Sequence, residues 1–137
     1  MRKIINTSFV YSILAFVAGV FYREFTKFNG FTGKTTLGVV HTHLFVLGVF
    51  FFLLLALFIK SYPDILENKK FSIFYIWYNI SLCLFSVMLL VRGVVQVLNV
   101  SLSTPINASI SGMAGISHIM LTVSIIYFFN ILKKIIK

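Results

Sequence analysis

The sequence predicts an all-α integral membrane protein, a single-domain bundle of four spanning helices. Three observations predict it. Hydrophobic residues make up 59% of the 137 positions and charged residues only 11%, well under the quarter typical of globular chains. The mean hydropathy is +1.00, which leaves too little polar surface to cover a water-facing domain and excludes disorder. The apolar residues also fall into four runs of the right length. No ten-residue alternation suggests barrel strands, and a backbone in lipid must satisfy its own hydrogen bonds, so the runs are helices.

The spans are placed at about 4–22, 37–59, 71–96 and 107–132, each near the ~20 residues that cross a hydrocarbon core. The first follows Arg2 and Lys3 in the manner of a secretory signal. It is too long and too polar at its start, and no small-residue cleavage site precedes Arg23, so it is expected to remain as a span. The second opens after a connector containing Gly30 and Gly33, and the third after a turn with Pro63. No internal repeat, low-complexity tract or domain boundary interrupts them.

Twelve Lys and Arg against three Asp and Glu give a net charge of +9. A basic balance can signal nucleic acid, but here the cations sit between and beyond the spans, so no nucleic-acid partner is expected. Arg2, Lys3, Lys60, Lys69, Lys70, Lys133, Lys134 and Lys137 fall on one side of the membrane; Arg23, Lys27, Lys34 and Arg92 fall on the other. The positive-inside rule then puts both termini in the cytoplasm. The single cysteine, Cys83, rules out an intrachain disulfide and any CxxC or CxxCH site.

Ionisable groups inside spans are costly and mark candidate sites. No Asp or Glu lies in a span, which argues against an ion-coupled transporter. All three histidines do: His41 and His43 in helix two, His118 in helix four. Residues two apart on an α-helix differ by roughly 200° of rotation, so His41 and His43 point to nearly opposite faces and cannot share one metal unless the helix is broken. Either one is functional and the other structural, or each serves a site on its own side. Counted from the loop end, the pair lies within about 10 Å of the outer surface and His118 nearer mid-membrane. The plainer reading of each histidine is an interhelical hydrogen bond. Arg92 either snorkels to the headgroups or anchors a propionate or phosphate. Ala108, Ser111, Gly112 and Gly115 share one face of helix four, suited to close helix approach or to a flat wall against a planar ligand. Gly48 leaves room near the histidine-bearing turn.

The run Val40-His41-Thr42-His43-Leu44-Phe45-Val46-Leu47-Gly48 resembles the helix-two signature of small four-helix membrane proteins related to heme-copper oxidase subunit I. Ile76-Trp77-Tyr78-Asn79-Ile80 is similar to their aromatic-rich motif, in which a His commonly takes the place of Tyr78. Over nearly its whole length the chain resembles an uncharacterised family of short bacterial membrane proteins, through Phe21-Tyr22-Arg23-Glu24-Phe25, Leu90-Val91-Arg92-Gly93 and Gly115-Ile116-Ser117-His118. The resemblance implies one four-helix arc of the twelve-helix oxidase ring, so that three copies would rebuild a ring in the bacterial inner membrane. It implies that each pore takes His43 from one chain and His41 from the next as axial ligands of heme b, in a closed cyclic homotrimer. Arg92, with Arg23 or Lys34, would hold the propionates. His118 would replace one ligand, hydrogen-bond near the heme or bridge helices.

Three histidines per pore are too few for an oxidase-type heme-copper centre. A bis-His heme suits electron transfer, redox sensing or heme handling, with the electron donor and acceptor open. The alternatives are a cofactor-free scaffold or carrier subunit, and a heme enzyme acting on a quinol or nitric oxide.

Overall fold

A computed structural model describes residues 1–135; Lys137, one of the cations counted for orientation, lies outside them. The described residues form four long helices: α1 (Arg2–Phe28), α2 (Leu37–Ser61), α3 (Lys69–Val97) and α4 (Thr104–Ile135). Each is long and apolar enough to cross a membrane, consistent with a multi-pass membrane protein. Side chains such as Phe9, Phe16, Leu57 and Ile119 stand exposed on the outer surface, the arrangement expected where lipid is the solvent.

The helices overrun the expected spans because charge does not end a helix, whereas backbone geometry does. α1 continues past Arg23 and Lys27 to a stop at Gly30, whose φ of +59° places it in the left-handed region. There the Gly30 N–H donates to the Lys27 carbonyl (3.1 Å) and the Phe31 N–H to that of Thr26 (2.9 Å), closing the terminus as a Schellman motif. Between α2 and α3, Pro63–Ile65 form a 3₁₀ turn pinned by fully buried Ile65. The Asn68 side chain then caps α3 by accepting from the Lys70 N–H.

α1 packs along α2, α3 along α4, and the first half of α2 against α3. Toward the terminal end of the bundle the core is aromatic. Fully buried Phe52, Phe74 and Tyr78 lie with Phe51 and Phe128, Phe51 stacking on Tyr78 at 4.5 Å and Phe74 on Phe128 at 4.7 Å between ring centres. Offset and edge contacts of this kind add to the area they bury.

Two close approaches set the position of α2. Its middle, Leu44–Phe50, is wound as a π-helix. At Gly48 the Tyr11 ring of α1 fills the space where a side chain would be, since a Cβ there would lie 2.6 Å from Tyr11 Cγ. The room expected beside the histidines at Gly48 is therefore occupied by Tyr11. A π segment disturbs the carbonyl ladder, and side chains take up two of these carbonyls: Tyr78 donates to Leu47 (2.8 Å) and Ser8 to Val49 (3.0 Å). Second, the start of α2 is sunk beside α3. Thr35 donates to the Gly93 carbonyl, Thr36 Oγ1 to the Leu89 carbonyl, and the Thr36 N–H to Gln96 Oε1. Leu37 thereby lies directly on Gly93.

Candidate functional site

The sunken start of α2 brings His43 down to the level of His118. Both imidazoles lie against the same Phe85 ring, His43 at 5.2 Å and His118 at 4.5 Å between ring centres. They line one groove of about 420 Å³ with Thr42, Val46, Leu47 and Leu121. The sequence expectation that His118 sits deeper than His43 is corrected here. It counted depth from the loop, and Thr35 and Thr36 are already tied to α3 at Gly93 and Leu89 before α2 begins.

Both rings are oriented in the same way. His43 Nδ1 lies 2.7 Å from the Val39 carbonyl and His118 Nδ1 2.9 Å from the Ala114 carbonyl, each four residues back. A carbonyl can only accept, so Nδ1 carries the proton and, in the neutral ring, Nε2 keeps its lone pair. A backbone acceptor on the distal nitrogen fixes tautomer and ring direction, the arrangement in which histidine ligates a metal. Half-buried His43 and exposed His118 thus present two ligand-ready nitrogens to an otherwise apolar groove.

His41 takes the other side, as the rotation between residues two apart predicts. It packs on α1 where Gly19 leaves space, a Cβ at Gly19 falling 3.7 Å from His41 Cγ. Its Nδ1 is buried without a hydrogen-bond partner. The pair therefore addresses separate faces of α2, His43 toward α3 and α4 and His41 toward α1. Among the described residues, no three His, Cys, Asp or Glu side chains converge as a metal cluster.

Arg92 belongs to the groove's helix pair. α3 and α4 run antiparallel, and Phe85 meets His118 as Arg92, seven residues on, meets Ser111, seven residues back. The guanidinium donates to Ser111 Oγ (2.8 Å) and Asn107 Oδ1 (2.6 Å), both neutral acceptors, so its charge remains available to an anion. Two turns separate it from the Phe85–His118 level, about 10 Å. Arg23, by contrast, is highly exposed and pairs with Glu24 at 2.8 Å, while exposed Lys34 lies in the α1–α2 connector. Neither lines the groove.

Apart from Ser111, which accepts from Arg92, the small face of α4 makes no close helix contact among the described residues. A Cβ at Gly112 or Gly115 would meet nothing within 4 Å, and Ala108 and Ser111 are exposed. Instead it forms an open, low-relief strip running from the Arg92 level to His118. Phe85 was not singled out in the sequence because it is one of sixteen Phe. The seven-residue spacings of Phe85 to Arg92 and of Ser111 to His118 were the signal that could have found it.

No curated protein and no solved structure matches the chain. Residues 1–135 match the family model described as "Protein of unknown function (DUF2871)", and the chain belongs to that family.

Proposed function

We propose that this protein binds b-type heme in the bacterial inner membrane, with both termini in the cytoplasm. One observation carries the reading: His43 and His118, each with Nδ1 held on a backbone carbonyl, line a single mostly apolar groove with a guanidinium two turns above. The donor set fits the group. Neutral imidazoles suit iron, and the rise of about 10 Å from the Phe85 level to Arg92 is of the order of the reach from a heme iron to its propionates. Arg23 and Lys34 would assist only from outside the groove.

In this reading His43 would supply one of the nitrogens that hold the iron. The groove is open on one side and His41 faces the opposite side of α2. In a head-to-tail ring of three copies, His41 would be the second ligand only if its ring, which packs on α1 at Gly19, reached past α1 into the neighbouring copy's groove. A second reading, favoured by the shared contact with Phe85, takes His118 as the other ligand from the same chain. Heme so bound supplies a one-electron iron couple for electron transfer, redox sensing or heme handling. The chain's own groups do the rest. The Val39 and Ala114 carbonyls hold the rings in place, Arg92 would neutralise carboxylate charge, and Val46, Leu47 and Leu121 exclude water.

Apo-protein titrated with hemin in detergent is expected to develop a Soret band saturating at one heme per chain. Arg92→Gln is expected to bind hemin about tenfold more weakly, a charge-assisted hydrogen bond contributing about 1.5–3 kcal/mol. Failure of the wild-type protein to take up hemin would overturn the reading.

A further inference from the structure

A second pocket lies on the connector side of Arg92, between the end of α3 and the start of α4. Its volume is about 370 Å³, and the residues lining it include Arg92, Val95, Gln96, Asn99, Leu102 and Asn107. No histidine and no carboxylate lines it. Among the described residues the ion pair present is that of Arg23 with Glu24, so no carboxylate neutralises Arg92.

The side-chain polar atoms left open to this pocket are almost all donors. A guanidinium and a backbone N–H can only donate, so each fixes which end of an amide faces it. Asn107 turns Oδ1 to Arg92 (2.6 Å), and Gln96 turns Oε1 to the Thr36 N–H (2.8 Å). With those oxygens engaged, each amide is left with its NH₂ group. Arg92 gives one N–H to Asn107 and one to Ser111, and its remaining N–H groups are unused. The closing carbonyls of α3 are engaged as well. Those of Val94, Val95 and Gln96 accept from the N–H groups of Leu98, Val100 and Asn99. Of the side chains lining the pocket, only Asn99 has an oxygen to spare.

We propose that this pocket binds a phosphate group. An unneutralised guanidinium with amide donors around it selects an oxyanion over a cation or a neutral ligand. The donors also come from several directions: Arg92 and Gln96 from α3, Asn99 from the connector and Asn107 from α4. A phosphate, with its several acceptor oxygens, meets such a set together, whereas a carboxylate satisfies one side of it. The net charge of +9 favours the approach of an anion. The same group reaches the pocket from either of two sources, a phospholipid headgroup or a soluble phosphate. The site uses no histidine and does not rest on heme binding. Because Arg92 would also face a propionate, the test is run without heme.

The test follows the ³¹P resonance of a phosphate probe titrated with the full heme-free chain in dodecyl maltoside, a phosphorus-free detergent. Two probes separate the sources: inorganic phosphate, and dihexanoyl phosphatidic acid, which carries the same group on a short lipid. Saturable line broadening beyond that of empty micelles is expected. Tighter binding of the lipid assigns the source to the membrane, and equal or tighter binding of inorganic phosphate assigns it to solution. Arg92→Gln is expected to weaken binding about tenfold, as the loss of a charged donor should. Asn99→Gly is the second variant. Glycine keeps the left-handed backbone at φ +50° and removes an exposed amide, so the fold is not at stake, and binding is expected to weaken about fivefold. Acetate at the same concentration is expected to displace little of either probe. Absence of saturable broadening with both probes, displacement by acetate as effective as by phosphate, or binding undiminished in Asn99→Gly and Arg92→Gln would each overturn the proposal.

Discussion

Gly93→Ala is expected to destabilise the bundle by about 3 kcal/mol or more, at the upper end of overpacking costs. A Cβ at this position would lie 2.5 Å from the Leu37 backbone nitrogen and 2.6 Å from Leu37 Cγ. Backbone cannot rotate away as a side chain can. The start of α2 cannot shift freely either, because Thr35 and Thr36 tie it to the Gly93 and Leu89 carbonyls and to Gln96. Relief therefore requires α2 to rise or tilt, breaking those bonds and lifting His43, two turns below Thr36, away from Phe85. Gly112→Ala is the internal control. A Cβ there meets nothing, and the change is expected to stay within about 0.5 kcal/mol, as at most sites without a packing constraint. Unfolding of both variants in mixed micelles, followed by circular dichroism, compares them directly; equal stability would contradict the close contact between Leu37 and Gly93.

Loss of heme on His43→Ala is the second large effect expected. His43 is common to both ligand sets proposed, so its removal should abolish a six-coordinate spectrum whichever partner it has. The other two histidines then separate the sets. If the second ligand comes from His41 of the partner subunit, His41→Ala should give the same loss and His118→Ala should leave six-coordination intact. If the pair lies within one chain, the two results exchange. Val39 and Ala114 contribute only backbone carbonyls, so single substitutions cannot remove the Nδ1 acceptors. Imidazole added to His43→Ala protein should restore a six-coordinate spectrum, which distinguishes a lost ligand from a damaged fold. A His43→Ala protein that keeps its bis-His spectrum would contradict ligation at this groove.

The four spans were legible because lipid permits few alternatives: twenty apolar residues in a row must be helical. Their ends were less so. Arg23 and Lys27 look like the edge of a span, yet α1 runs through both to Gly30, where backbone conformation decides. The split of His41 and His43 between faces also followed from rotation per residue alone. Their depth relative to His118 did not, because it depends on how far Thr35 and Thr36 sink along α3. The π segment at Leu44–Phe50 was equally hidden. It is sustained by Tyr11, Ser8 and Tyr78 from other helices, and the sequence motif offers no sign of those contacts. Arg92 was already the leading anchor on sequence, with Arg23 or Lys34 second to it; in the structure a neighbouring glutamate holds Arg23, while Arg92 lies on the helix pair that builds the groove.

Heme binding is tested most directly by the visible spectrum of the purified protein, oxidised and then reduced with dithionite. Ligation by two histidines predicts a red preparation with a Soret band that sharpens on reduction, resolved α and β bands, and no change when carbon monoxide is added. A shift with carbon monoxide would point instead to an open iron position and enzymatic chemistry. A colourless protein that acquires no Soret band from hemin would contradict the proposed function outright.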